Sequence, residues 1–345
     1  MIPVRNIYYM LSYAFHVLRE QGYKNIATEQ FHNTVELMAA ILEKGIAIQL
    51  KRGLVKEYIP QTESLSSLRG KVDITESIKT KSMLRRQLIC TYDEFSVNST
   101  MNRIIKSTVE LLLHSNLLRQ RKKKLRKLMV YFVEVDFIDL NTVNWNLQYN
   151  RNNQTYYMLL SICYLVVKGL LQTQSDGSTK LMDFLDEQRT CRLYEKFILE
   201  YYRKEFKNQL IANASLIPWQ LDNEENSMLP VMQSDIMLQR GDRVLIIDAK
   251  YYEHSTQVQF NKHTLHSSNL YQIFTYVKNK EYELRDKDHM VSGMLLYAKT
   301  NEGIYPNNIY QMSGNQITVR TLDLNLPFAK IAGQLNTIAE TYFNL

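Results

Sequence analysis

One segment constrains this chain more than any other. In Ser234-Asp235-Ile236-Met237-Leu238-Gln239-Arg240-Gly241-Asp242-Arg243-Val244-Leu245-Ile246-Ile247-Asp248-Ala249-Lys250, apolar stretches flank the turn sequence Arg240-Gly241-Asp242, which reads as strand, turn, strand. The run Val244 to Ile247 suits a strand buried on both faces. Two charged residues, Asp248 and Lys250, then appear where such a strand ends. Side chains alternate along a strand, so these two project from one face, and hairpin pairing brings Asp235 beside Asp248.

Two carboxylates and an ammonium converging in this way suit metal-assisted phosphodiester hydrolysis. Hard oxygen ligands hold Mg²⁺, the ion stabilises charge on the phosphate, and the lysine positions or activates water. The spacing is that of a PD-(D/E)xK nuclease site, with Ser234 where the motif has proline and Asp248 in the Asp/Glu position. As a bare pattern Asp-x12-Asp-x-Lys occurs by chance in many chains, and an ordinary salt bridge at a strand end would have the same sequence. The buried strand and the helix after it favour the site.

That helix contains Ser268-Asn269-Leu270-Tyr271-Gln272-Ile273-Phe274-Thr275-Tyr276. Gln272 and Tyr276 share a helical face and can approach a metal-bound water or the DNA backbone together, as a Gln-x-x-x-Tyr pair does in RecB-like nuclease cores. A surface glutamine beside a packing tyrosine fits the spacing equally well. Upstream, Glu195 lies in the amphipathic stretch Cys191 to Phe206, in the place from which a helical glutamate completes the metal shell in many cores of this type. The alternative is a solvated glutamate paired with Arg192 or Lys196.

The 345 residues divide most naturally into two domains. With eleven glycines and six prolines, long helices with some strands are expected. Helices are predicted near the start, with Asn6 as cap, and over Phe31 to Leu50 and Asn102 to Leu118. Short strands are predicted at Leu54 to Ile59, Gly70 to Ile74 and Leu88 to Tyr92, with Gly53 and Pro60 as punctuation. The polar stretch from Leu140 to Thr155, rich in asparagine, reads as a boundary, and Gln174 to Ser178 as a second break. The expected domains are therefore 1–150 and 151–345.

Forty-two Lys and Arg against thirty-five Asp and Glu leave a net charge of +7, which fits an anionic partner. Seven of the cations crowd into Arg119 to Lys127, a run able to bind DNA phosphates, an acidic protein or only water. Three cysteines in no disulfide or zinc pattern imply a reducing compartment. The N-terminus lacks a secretory h-region and the apolar stretch Tyr156 to Leu171 is too short to span a bilayer, so a cytoplasmic protein with no membrane contact is expected. His254, His263 and His266 lie close together, but without a third ligand at suitable spacing they read as contacts to DNA phosphate or solvent.

Across most of its length the chain resembles the McrC family, the nuclease subunits of McrBC modification-dependent (5-methylcytosine) restriction systems. The resemblance rests on Ile2-Pro3-Val4-Arg5-Asn6-Ile7-Tyr8-Tyr9-Met10-Leu11, Asn102-Arg103-Ile104-Ile105-Lys106-Ser107-Thr108, Leu193-Tyr194-Glu195-Lys196-Phe197, Asp248-Ala249-Lys250-Tyr251-Tyr252 and Asn269-Leu270-Tyr271-Gln272, in that order. It implies an α/β protein: an α+β N-terminal domain, then a PD-(D/E)xK restriction-endonuclease-like domain with a mixed central sheet flanked by helices. The first would bind a McrB-like AAA+ GTPase hexamer and stimulate its GTP hydrolysis. The second would cleave double-stranded DNA containing modified cytosine with Mg²⁺, as the endonuclease subunit of a type IV restriction complex. Asp235, Asp248 and Lys250 would be catalytic with Gln272, and Glu195 would join Asp235 and Asp248 as a metal ligand. GTP would belong to the partner, since Gly70-Lys71 is followed by Val72 and no phosphate-cradling Gly-x-x-x-x-Gly-Lys-[Ser/Thr] loop occurs. A GTPase-stimulating scaffold with a secondary or inactive nuclease site, and a stand-alone RecB-like nuclease, are the alternatives.

Overall fold

Asn33, Asp73 and Ser99 each accept a backbone N–H at the start of a helix. The structure, a computed structural model, describes residues 2–19, 23, 26, 29–150, 153, 155–176, 187–223, 228–252, 257–259, 262–299 and 305–345. It falls into two compact units, one of Met1–Ala27 with Met182–Leu345 and one of Thr28–Leu181. Helix α1, Val4–Ala14, begins after Pro3. Asn6, expected to cap it, lies inside it, buried, and its amide donates to the carbonyls of Leu324 and Leu326 at 2.8 Å each. The first residues therefore belong to the C-terminal unit.

In the middle unit, α2 (Thr34–Arg52) is capped by Asn33, which accepts from the Glu36 N–H at 2.8 Å. Strands β1 (Glu57–Leu65), β2 (Lys71–Asp73) and β3 (Leu88–Ser96) form an antiparallel sheet in the order β1-β3-β2. Pro60 sits inside β1 and does not end it, because β1 is an edge strand and needs no amide there. Ile74 starts helix α3 (Ile74–Lys79) instead of closing β2, because the Asp73 carboxylate accepts from the Glu76 N–H. Helices α4 (Thr100–His114), α5 (Arg119–Met129) and α6 (Tyr156–Asp176) complete the unit, with α6 packed on α2 and α4. The Tyr156 hydroxyl donates to Asn102 at 2.7 Å and accepts from the Val55 N–H at 2.9 Å. The polar stretch before α6 is therefore a loop within this unit, and the compact units part near residues 27 and 181, not near 150. Asn152, Gln154, Gly177 and Ser178 lie outside the described residues.

The C-terminal unit continues with α7 (Glu187–Glu205), then strands β4 (Ile211–Asn213), β5 (Leu216–Ile217), β6 (Met232–Gln233), β7 (Ile236–Arg240), β8 (Arg243–Lys250), β9 (Gln257–Gln259) and β10 (Lys262–Thr264). After α8 (Ser267–Glu283) come β11 (Met290–Ala298), β12 (Asn308–Met312), β13 (Asn315–Leu322) and α9 (Phe328–Phe343). The main sheet has the order β12-β13-β11-β8-β7-β4. It is mixed: β11 runs parallel to β8 and β13, and the other pairs are antiparallel. One face packs α8 through Ile273, Tyr276 and Val277 against Val244, Ile246, Val291, Leu295, Ile317 and Val319. Helices α7 and α9 also pack on β8, and α1 joins them through Tyr9 and Tyr13 on Phe328 and Phe197. This is the mixed, helix-flanked sheet expected for this half. Among the described residues no helix is long and apolar enough to cross a membrane.

Gly293 lets α8 approach the sheet. A Cβ there would stand 2.8 Å from Ile317 Cδ1 and 2.9 Å from both Ile273 Cγ1 and Val277 Cγ2. Gly293→Ala is expected to cost about 1–3 kcal/mol through overpacking, seen as a lower urea midpoint; an unchanged midpoint would show that the helix shifts freely.

Candidate active site

The hairpin β7–β8 sets the site. Its register pairs Arg240 with Arg243 and Ile236 with Ile247, leaving Gly241 and Asp242 as the loop, with Gly241 at φ 58°. Continued one step, that register sets Asp235 across from Asp248. The Asp235 Oδ2 accepts from the Ala249 N–H at 2.9 Å, so its carboxylate is pinned over the end of β8. Asp248 is 1% exposed. Its Oδ1 accepts from the Lys250 ammonium at 2.8 Å, while its Oδ2 is buried and has no hydrogen-bond partner.

Lys250 also donates to Gln272 Oε1 at 3.3 Å, and Gln272 Nε2 donates to the Tyr276 hydroxyl at 3.0 Å. The helix α8 thus presents both expected residues, with Gln272 on the lysine and Tyr276 behind it. Burial pushes the Asp248 carboxyl up to about 8 against the pull of Lys250, and the Asp235 carboxylate pushes in the same direction as burial. For Lys250, burial disfavours the charge, but Asp248 outweighs it and holds the ammonium above its usual range.

Glu195 lies on α7, close enough to Asp235 to feel its charge. It accepts from the Cys191 thiol at 3.1 Å, and burial, then the charge of Asp235, raise its carboxyl above the usual range. Among the described residues no three Asp, Glu, His or Cys side chains are gathered closely enough to hold a metal ion, so the structure does not assemble Glu195, Asp235 and Asp248 into one shell. The aspartate pair still fits Mg²⁺, which is commonly held by one or two carboxylates with waters and substrate phosphates supplying the rest. The bare buried Oδ2 of Asp248 is the specific observation, since a buried carboxylate oxygen without a donor needs a cation or a proton.

Several neighbours escaped the sequence reading. Cys191 reaches the Ala249 carbonyl at 3.5 Å as well as Glu195, and its spacing of four from Glu195 on a helix was the available signal. Tyr252 donates to Asn269 Oδ1 at 3.3 Å, and Asn269 Nδ2 donates to the buried Tyr297 hydroxyl at 3.0 Å. This network ties the residue two beyond Lys250 to the first turn of α8. His266 packs edge-on to Tyr252, and His263 lies on β10; His254 lies outside the described residues.

The family model of the McrBC 5-methylcytosine restriction system component matches residues 4–298, a span that contains all five expected site residues. The chain belongs to this family. A relative from Escherichia coli (strain K12), the type IV methyl-directed restriction enzyme EcoKMcrBC, is 27% identical over 347 residues, covering 99% of this chain and 98% of the relative. Among solved structures, a chain of the half-complex from the tetradecameric assembly of Thermococcus gammatolerans McrB AAA+ hexamers with bound McrC matches 97% of this chain and 76% of its own length, at TM-score 0.49 and 17% identity. A chain of the Thermococcus gammatolerans McrBC complex matches 59% of each, at TM-score 0.42 and 20% identity.

Proposed function

We propose that this family member is the McrC-type endonuclease subunit of a GTP-dependent, modification-directed restriction complex. It binds a McrB-like AAA+ GTPase hexamer, stimulates its GTP hydrolysis, and cuts double-stranded DNA carrying modified cytosine by Mg²⁺-dependent phosphodiester hydrolysis of the PD-(D/E)xK type. The observation that carries this reading is the array of Asp235, Asp248, Lys250 and Gln272 at the carboxyl end of a buried strand. The methyl-directed name of the Escherichia coli relative supports the substrate class.

Asp235 and Asp248 are the residues that would hold Mg²⁺, with Glu195 near enough to feel the charge of Asp235. When bound, the ion supplies Lewis-acid stabilisation of the phosphate and lowers the proton affinity of a coordinated water. The chain's own groups orient the rest. The Ala249 N–H fixes Asp235, Asp248 holds the Lys250 ammonium, and Gln272 directs the same ammonium from the helix side. Lys250 then places positive charge where an attacking water and the phosphate oxygens meet.

Plasmid DNA methylated at cytosine, given this chain, its cognate AAA+ GTPase, GTP and Mg²⁺, is expected to be cut, with unmethylated plasmid and reactions containing EDTA left intact. Cutting by this chain alone, without partner or GTP, would instead make it a stand-alone RecB-like nuclease. GTPase stimulation without any cutting would make it a scaffold.

A further inference from the structure

The C-terminal unit carries a cavity of about 480 Å³ beside the main sheet, lined by Leu296 and otherwise by residues past 298, where the family match ends. Strands β8, β11 and β13 are adjacent and parallel, so their carboxyl ends share one edge, the side on which open α/β sheets receive ligands. Lys250 ends β8 opposite Tyr297, and Ala298 ends β11 opposite Leu322. The cavity is lined by Leu296 of β11 and Arg320 to Leu322 of β13 with Lys299 and Asp323 just past those strands, and the Lys299 N–H donates to the Leu322 carbonyl at 2.9 Å, fixing its wall to the sheet.

The charges lining the cavity do not balance. The Lys299 ammonium pairs with Asp323 at 2.7 Å and lies 4.7 Å from the centre of the Tyr305 ring. The Asp323 carboxylate also accepts from the Asn325 N–H at 3.0 Å, so it is already engaged. Arg320 is half-buried, and among the described residues no hydrogen bond or ion pair engages its guanidinium. A partly desolvated guanidinium, with five donors in a planar fork, matches a phosphate better than any other common anion in a nucleic-acid-handling protein. Gln334 and the exposed Thr337 add polar groups on the α9 side.

We propose that this cavity is a second phosphodiester subsite, in which Arg320, with Lys299 beside it, holds a backbone phosphate of the DNA at a distance from the scissile one. The proposal rests on the nuclease reading above for the identity of its ligand. It gives part of the net positive charge a defined use, and it lies toward the same end of the strands as Lys250 but on the face that packs α9, without sharing a residue with the cleavage site.

Binding of a short fluorescent DNA duplex to the full chain, followed by anisotropy in EDTA over a salt series, tests it without requiring cleavage. Arg320→Gln is expected to weaken binding about tenfold at low salt and to reduce the slope of log K against log salt by about one. At the exposed position 337, where refolding of the core is not at issue, Thr337→Glu is expected to weaken binding several-fold and Thr337→Lys to tighten it. The subsite is overturned if the parent chain does not bind duplex, or if Thr337→Glu and Thr337→Lys both bind with the parent affinity and slope. Cleavage lost with binding still dependent on Arg320 would count against the nuclease reading alone.

Discussion

Asp248→Ala is expected to lower plasmid cleavage by roughly a thousandfold or more, since it removes the bare carboxylate oxygen proposed to hold the ion and the anchor of the Lys250 ammonium together. GTP turnover by the partner should remain stimulated to nearly the parent level, because the hydrolysis of GTP is assigned to a different protein. The choice of aspartate over lysine as the residue to remove has a physical reason. Removing Lys250 would leave the Asp248 carboxyl at 1% exposure without the ammonium that opposes its burial, so that it takes up a proton. Removing Asp248 leaves an ammonium that is 13% exposed and still bonded to Gln272. Lost cleavage in Lys250→Ala is therefore open to a second explanation, a neutralised Asp248, that Asp248→Ala does not share. Asp248→Asn, which keeps the shape, should be as inactive as Asp248→Ala. Cleavage by Asp248→Ala within tenfold of the parent would remove the aspartate from the site.

The convergence of Asp235, Asp248 and Lys250 was legible because two short-range rules suffice for it. Alternation puts Asp248 and Lys250 on one face, and a two-residue hairpin loop leaves a single register that pairs Ile236 with Ile247. Gln272 and Tyr276 were legible from helical spacing, although only the fold brings Gln272 onto Lys250. The parallel strand β11 was not anticipated, since nothing local in Met290 to Ala298 records that it inserts between β8 and β13. The division of the chain was misplaced for a related reason. A polar, asparagine-rich stretch has the same composition as a linker or as a loop within a unit, and the buried Asn153 belongs to the second kind. Asn6 looked like a cap because it is the right residue type near a helix start, yet its partners lie more than three hundred positions away.

The basic run Arg119 to Lys127 shows where charge counting fails, and it carries the largest expected effect on stability. On helix α5, Arg121 and Leu125 turn inward while Arg119, Lys123, Lys124, Arg126 and Lys127 are exposed. Arg121 is 7% exposed; its guanidinium bonds to Glu29, to Glu36 at 3.1 Å and to Glu43 at 2.5 Å. Glu36 is itself buried and also accepts from the Leu118 N–H at 3.2 Å. One cation therefore holds three carboxylates from the chain before and along α2, and the spacing of Arg121 with Leu125 was the signal for its inward face. Arg121→Ala is expected to destabilise the middle unit by about 3–5 kcal/mol, because it leaves those carboxylates facing one another in a partly dry site. Arg121→Lys should recover only part of this, since a point charge on a flexible stem cannot meet three carboxylates with a planar fork. Lys123→Ala or Lys127→Ala, by contrast, should stay within about 0.5 kcal/mol of the parent. Urea unfolding followed by circular dichroism separates the two groups, and a parent-like midpoint for Arg121→Ala would return the residue to the solvated face. With Arg121 engaged by these carboxylates, a DNA-binding role for this helix is to be sought among its exposed cations, whose scaffold Arg121 holds in place.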